Sequence, residues 1–327
     1  MATPKHTEFY VDGILKHDIA VLSKAITLVE SSSDAHRQTA VAVMEALMPY
    51  TGRSFRLGIT GVPGVGKSTF IESFGQHVVA QGHRLAVLAI DPSSTRSRGS
   101  ILGDKTRMEK LSAMQQVYIR PSPSSGELGG ITRSTYESIL LCEAAGFDYI
   151  IVETVGVGQS EVAVKRICDF FLLLMLAGAG DELQGIKRGI MEMADALVIT
   201  KADGENAQKA ASARAEYAHA MHLLQAPESG WTPRTLVCSA LEGKGIEEVY
   251  NMLTDFVTFA KAHNWFFENR KEQQYSLFLN TVEERLRTHF FSEPGVKQQL
   301  EILKQAENFQ PYAEALRLIN AFFKSTK

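Results

Sequence analysis

The 327-residue sequence lacks the features that would tie it to a membrane, a metal cluster or a disulfide framework. Its longest strongly apolar run, Phe170–Ala179, is ten residues, half of the roughly 20 that a membrane-spanning helix needs. Met1–Tyr10 is polar and carries no apolar signal-peptide segment. The three cysteines, Cys142, Cys168 and Cys238, stand far apart with no CxxC spacing. That excludes a zinc framework and makes a reducing, cytoplasmic setting the expected one. Lys+Arg is 34 against Asp+Glu 37, a net charge of −3, so the chain is not built to coat nucleic acid or an anionic membrane. There is no internal repeat and no low-complexity tract. What is present is ordinary globular composition, 45% hydrophobic and 22% charged. The length fits one large domain with additions, or two domains.

The first 53 residues read as helical. Leu22, Ala25, Ile26 and Val29 follow i, i+3, i+4, i+7 spacing. Asp34 is placed to cap a second helix running to about Met48, with Val41, Val43, Met44 and Leu47 on its apolar face. From Phe55 short apolar runs alternate with helical segments: Phe55–Thr60, Leu85–Ile90, Tyr149–Glu153, Phe170–Leu176, Ala196–Thr200 and Thr235–Cys238. Most are rich in Val, Ile and Leu without clean alternation, as in strands buried on both faces of a parallel sheet. Helical stretches such as Thr132–Ala145 and Asn206–Leu224 lie between them. The expectation is a doubly wound α/β domain over 54–258, between a helical extension at 1–53 and a helical segment at 259–327. In that last segment Tyr275, Phe278, Val282, Leu286 and His289 repeat at helical spacing, as do Tyr312, Leu316, Ile319 and Phe323. Too small to be stable alone, it packs either on its own domain or on a second copy.

The strongest motif is Gly61-Val62-Pro63-Gly64-Val65-Gly66-Lys67-Ser68, followed by Thr69. It fits GxxxxGK[ST], with a strand before it and the amphipathic segment Thr69–Gln81 after it. Glycines let backbone N–H groups turn inward around phosphate oxygens. The helix N-terminus adds positive partial charge. Lys67 is the residue to reach the β- and γ-phosphates, and Ser68 the one to ligate Mg²⁺.

Thr200-Lys201-Ala202-Asp203 closes a strand 134 residues after Lys67. It resembles the [NT]KxD guanine signature. A carboxylate at Asp203 accepts hydrogen bonds from guanine N1–H and N2–H, whereas adenine lacks the N2 amine and presents an unprotonated N1. The Lys201 stem covers the base plane. Cys238-Ser239-Ala240-Leu241 ends the next strand and resembles the loop whose backbone N–H meets guanine O6. Three matches in order favour GTP over ATP.

Two further strands end in acids, Asp91 in Asp91-Pro92-Ser93-Ser94 and Glu153 in Glu153-Thr154-Val155-Gly156. Parallel strands bring such ends beside the phosphate loop, where a carboxylate holds Mg²⁺ directly or through water. Gly156 lets its N–H approach the γ-phosphate. Asp104 is a third acid, and Asp91 or Asp104 is the candidate to orient or deprotonate the attacking water. Gln159 follows Gly156 by three positions, which is not the spacing of the water-orienting glutamine in Ras-like enzymes.

These stretches resemble the MeaB/ArgK-type GTPases, the G-protein chaperones of adenosylcobalamin-dependent acyl-CoA mutases. The resemblance covers nearly the whole chain. It rests on Gly58–Thr69, Ile90–Ser94, Gly99–Met108, Ile119–Pro123, Glu153–Glu161 and Gly180–Lys187. It implies a SIMIBI-class P-loop G domain, a three-layer αβα architecture with a mostly parallel sheet, plus N-terminal and C-terminal helical extensions, the latter dimerising. It implies Mg²⁺ contacts at Ser68, Asp91, Asp104 and Glu153. It likens Gly178–Arg188 to the loop called switch III, with Asp181, Gln184 and Lys187 as its best-placed polar residues for relaying nucleotide state to methylmalonyl-CoA mutase or a close relative. Three other readings compete. A nickel-insertion GTPase would look to His219 and His222 as part of a metal site. An ATP-dependent kinase or transport-associated ATPase is opposed by the Thr-Lys-Ala-Asp and Ser-Ala-Leu loops. A dimeric scaffold would bind nucleotide without turning it over.

Overall fold

Hydrophobic runs that cannot face water on either side assemble as the interior layer of the fold. The structure is a computed structural model; it describes residues 4–31, 33–91, 108–123, 128–154, 160–178, 188–224, 227–306 and 308–325. Seven strands form one sheet: β1 Phe55–Gly61, β2 Leu85–Asp91, β3 Val117–Pro123, β4 Tyr149–Thr154, β5 Phe170–Leu176, β6 Ala196–Thr200 and β7 Arg234–Val237. Their order is β3-β2-β4-β1-β5-β6-β7, and every pairing is parallel. From β1 the chain steps outward to β2 and β3, returns as β4, and then builds β5 to β7 on the other side of β1. Ligands of such sheets bind outside the carboxyl ends of the strands, where the winding reverses. Here that places the crevice beside the end of β1.

Thirteen helices occur among the described residues. They are α1 Thr7–Leu15, α2 Ile19–Val29, α3 Asp34–Leu47, α4 Lys67–Ala80, α5 Glu109–Ser112, α6 Leu128–Ala144, α7 Ser160–Lys165, α8 Arg188–Met193, α9 Asn206–His222, α10 Ile246–Ala262, α11 Trp265–Ser292, α12 Pro294–Gln305 and α13 Pro311–Ser325. Within residues 1–273 the helices cover both faces of the sheet. Leu57 and Ile59 of β1 join Phe70 and Phe74 of α4 and Phe256 of α10 in the main core. The alternate positions, Arg56 and Gly58, turn the other way: Arg56 stacks over Tyr136 of α6, and a Cβ on Gly58 would meet Val164 of α7 at 2.9 Å.

The N-terminal helices dock on this second face. Asp18 caps α2 by accepting from the N–H groups of Ala20 and Val21, and Leu22, Ala25, Ile26 and Val29 are all buried. Arg37 of α3 pairs with Glu137 of α6 at 2.8 Å, and Arg120 of β3 pairs with Glu30. On α3, Val43 and Leu47 are buried, but Val41 is exposed, contrary to the expected apolar face. Asp34 opens α3 as its first residue, and Ser33 takes the cap position.

The strand absent from the sequence reading is β3. Its Arg-Pro-Ser-Pro ending carries a weak strand signal, because proline cannot donate to a ladder. At the sheet edge, paired with β2 alone, the prolines are tolerated.

Two compact units emerge, 1–273 and 274–327. The smaller consists of the end of α11 with α12 and α13. Phe322 there packs edge-on against His289 and Phe290. The same unit exposes Tyr275, Phe278, Leu286, Tyr312, Leu316 and Phe323. All three cysteines are buried free thiols. Among the described residues, no helix is long and apolar enough to cross a membrane.

Candidate nucleotide site

The turn from β1 into α4 is forced by its glycines. Gly64 and Gly66 adopt φ of 79° and 92°, a region that costs other L-residues energy. Gly61 is required for space instead: a Cβ there would lie 2.6 Å from the Leu174 carbonyl oxygen of β5. Val65 is buried and its N–H bonds back to Val62 O at 3.2 Å, closing the turn. Pro63, Gly64 and Thr69 are exposed, and Ser68 is half-buried as the second residue of α4. The first N–H groups of that helix have no intrahelical acceptor, so the loop is a concave set of donors suited to an anion.

Lys67 lies folded over this loop. Its Nζ donates to Gly61 O at 2.8 Å and to Val62 O at 3.4 Å. Burial lowers its pKa, and the carboxylates of Glu153 and Glu161 oppose that by favouring the cation. Both acids are buried. Glu153, in register with Ile59, thus stands at the end of β4 within electrostatic reach of the loop lysine. A buried carboxylate and the Ser68 hydroxyl are hard oxygen donors of the kind Mg²⁺ selects. Beside them, the Thr154 hydroxyl donates to the Thr60 hydroxyl at 2.8 Å, tying β4 to β1 just before the loop.

The end of β6 and the segment after β7 come together beside the phosphate loop. Thr200 Oγ1 donates to Val65 O at 2.6 Å, so the end of β6 is pinned to the loop backbone. Lys201 takes φ of 56°, and its Cε lies 3.7 Å from where a Gly66 Cβ would stand. Its aliphatic stem is therefore laid along the loop. The side-chain amide of Asn206 donates to Lys201 O at 2.6 Å and holds this strained turn. Ala202 N–H donates to Cys238 O at 3.1 Å, bringing the ends of β6 and β7 together. Ser239, buried, donates from Oγ to Asp203 Oδ2 at 2.9 Å, while Glu242 N–H donates to the same Oγ at 3.2 Å. Ala240 is half-buried and Leu241 is 79% exposed.

The structure therefore gathers Gly61 to Thr69, Glu153, Lys201, Asp203 and Ser239 at one edge of the sheet. Asp104, Gly156, Gln159, Asp181, Gln184 and Lys187 lie outside the described residues, and so does the Asp91 side chain. The Asp91 backbone ends β2 opposite Pro123. His219 and His222 are exposed on α9. Among the described residues, no three His, Cys, Asp or Glu side chains gather as a metal cluster. Sequence reasoning assigned nothing to Glu161, Asn206 or the Thr60–Thr154 pair. Thr60, Thr154 and Glu161 do lie within the Gly58–Thr69 and Glu153–Glu161 stretches, whereas Asn206 lies in none of the stretches that carry the resemblance.

Comparison with known proteins points in one direction. The profile of the family described as Methylmalonyl Co-A mutase-associated GTPase MeaB matches residues 22–295. The GTPase ArgK of Escherichia coli (strain K12) is 48% identical over 273 residues, spanning 84% of this chain and 82% of that protein. The mitochondrial methylmalonic aciduria type A homolog of Mus musculus is 45% identical over 303 residues, spanning 90% of this chain and 73% of that one. A solved structure described as LAO/AO transport system kinase superposes with a TM-score of 0.75 at 37% identity, over 97% of each chain.

Proposed function

This chain belongs to the MeaB family of GTPases, and from that premise we propose that it is a Mg²⁺-dependent G-protein chaperone of an adenosylcobalamin-dependent acyl-CoA mutase. Methylmalonyl-CoA mutase is the favoured client, supported by the family description and by the mouse relative's name. The role is to gate loading of intact cofactor and to protect or reactivate the mutase. The observation that carries guanine chemistry is the Asp203 carboxylate, oriented by Ser239 on a turn hydrogen-bonded to the phosphate loop. That corner also argues against an ATP-dependent transport kinase.

In this reading the N–H groups of 61–69 and the Lys67 ammonium bind the phosphates. Lys67 must first leave Gly61 O, so its charge passes from a backbone carbonyl to the phosphate oxygens. Ser68, Asp91, Asp104 and Glu153 would hold Mg²⁺, which supplies charge neutralisation at the β- and γ-phosphates. Asp91 or Asp104 orients the attacking water, and Gly156 contacts the γ-phosphate. Asp181, Gln184 and Lys187 carry the nucleotide state to the client. We assign 1–53 as a helical extension, 54–258 as the G domain and 259–327 as a dimerising segment in a cytoplasmic homodimer. The exposed apolar residues of 274–327 support self-association.

The test is GTP hydrolysis by the purified protein with and without methylmalonyl-CoA mutase, with ATP as control. Stimulated turnover of GTP alone is expected. GTP-selective turnover that the mutase leaves unchanged would move the client to another mutase, and ATP preference would overturn the guanine assignment.

A further inference from the structure

At the opposite edge of the sheet from the phosphate loop is a cavity of about 230 Å³. Its floor is made where β1 and β4 begin, at Phe55 and Tyr149, which are paired in register. Gly61 lies six residues further along β1, roughly 20 Å away at strand rise. Leu253 and Val257 of α10 and Phe266 of α11 complete the apolar wall. This space belongs to no part of the nucleotide site.

Its polar groups are unevenly satisfied. His83 bonds through Nδ1 to Asp148 Oδ2 at 2.8 Å and through Nε2 to the Tyr250 hydroxyl at 3.1 Å. With the Nδ1 proton given to the carboxylate, Nε2 accepts from Tyr250, and the Tyr250 proton is engaged. Tyr149 is different. It is 5% exposed, it lines the cavity, and its buried Oη has no hydrogen-bond partner. Burial and the neighbouring Tyr250 push its phenol well above the ordinary range, so it stays a neutral donor. An orphaned buried hydroxyl is costly, and a ligand acceptor relieves the cost. Two cations, Arg53 and Lys261, line the same cavity, and Lys261 is also within electrostatic reach of the buried Asp169. Lys261 Nζ sits 5.5 Å from the centroid of the Phe266 ring.

We propose that this cavity is a second ligand site, taking a small organic carboxylate with an aromatic or otherwise apolar body. The apolar body fills the space between Phe55, Tyr149 and Phe266. The carboxylate accepts from the Tyr149 hydroxyl and is neutralised by Arg53 and Lys261. The cavity is smaller than the roughly 300–1,000 Å³ typical of drug-sized ligands, which restricts the occupant to about one or two rings.

The experiment uses the full chain loaded with GDP. Benzoate and 2-naphthoate are the probes, their neutral carboxamides the controls, followed by ligand-observed NMR and calorimetric titration. The carboxylates are expected to bind saturably and the amides about tenfold more weakly, the scale of one charge-assisted contact. Arg53→Ala with Lys261→Ala should weaken the carboxylates by about tenfold or more. Both side chains are exposed, so this variant keeps the fold. Tyr149→Phe should weaken carboxylate binding while leaving the ligand-free melting temperature equal or higher, because an unpaired hydroxyl has been removed. GTP hydrolysis should be unchanged in all of them. Equal binding of acids and amides, binding indifferent to Arg53 and Lys261, or no saturable binding would overturn the proposal.

Discussion

Replacing Asp203 by asparagine tests the base-reading corner through hydrogen-bond direction, with little change of shape. In the native site Ser239 Oγ accepts from Glu242 N–H and donates its own proton to Asp203 Oδ2. That donation fixes the outcome in the variant. The asparagine amide has one acceptor oxygen, and Ser239 claims it, which turns the NH₂ group toward the base. Guanine presents two donors there, N1–H and N2–H, so two charge-assisted bonds are lost and donors oppose one another. At about 1.5–3 kcal/mol per bond, GDP should weaken by roughly 10²–10⁴. Xanthine carries a carbonyl at C2 in place of the amine, and the same NH₂ can donate to it. XDP binding should therefore rise as GDP binding falls, and the preference should invert. Competition titrations of GDP and XDP against a fluorescent nucleotide, in both proteins, measure this. Adding Ser239→Ala to the variant removes the steering donor and should erode the preference for XDP. A GDP/XDP ratio unchanged by Asp203→Asn would refute the assignment of Asp203 to the base.

Other substitutions probe the phosphate loop and the scaffold. Lys67→Ala removes the cation poised over Gly61 O and should lower kcat/KM for GTP by about 10²–10³, the scale of one preorganised donor, read by phosphate release. Gly61→Ala forces a Cβ to within 2.6 Å of the Leu174 carbonyl and should cost about 1–3 kcal/mol by overpacking, seen as a lower melting temperature. Glu143→Ala removes the acceptor for Gly52 N–H, Ser54 Oγ and Arg56 Nε. It should cost about 3–5 kcal/mol in urea unfolding, because it strands a buried arginine. The thiols should be inert to a disulfide reagent until denaturant is added, since burial raises the pKa of all three, that of Cys238 to about 12.

Legibility in the sequence followed the range of the interactions. The phosphate loop was readable because its constraints are local. Left-handed backbone at Gly64 and Gly66 and a helix that begins immediately afterward leave few residue choices. Strands β1, β4, β5 and β6 were readable because burial on both faces selects continuous apolar runs. Edge strand β3 escaped because it meets the opposite demand: one neighbour, two prolines and an arginine that pairs with Glu30. Val41 has the spacing of a core residue yet is exposed, because a helical stripe states a period but not its width.

The far edge of the sheet shows where such reading stops. Arg56 stands inside an apolar strand and is almost completely buried. Its Nε donates to Glu143 Oε1 at 2.9 Å, its Nη1 to Gln273 Oε1 at 2.9 Å, and its backbone N–H to Asp169 Oδ2 at 2.8 Å. Arg270 completes the set, donating from Nη2 to Asp169 Oδ2 at 2.7 Å and to Ser54 O at 2.8 Å. Each arginine is held by a carboxylate, so neither guanidinium is buried alone. The partners of Arg56 are 87, 113 and 217 residues away in sequence. No periodicity links positions at such separations. The network joins the start of β1, the end of α6, the start of β5 and the first half of α11. Chemistry that depends on backbone shape is therefore written in short motifs at the nucleotide edge. The charges that anchor α11 to the sheet become visible only once the fold has brought them together.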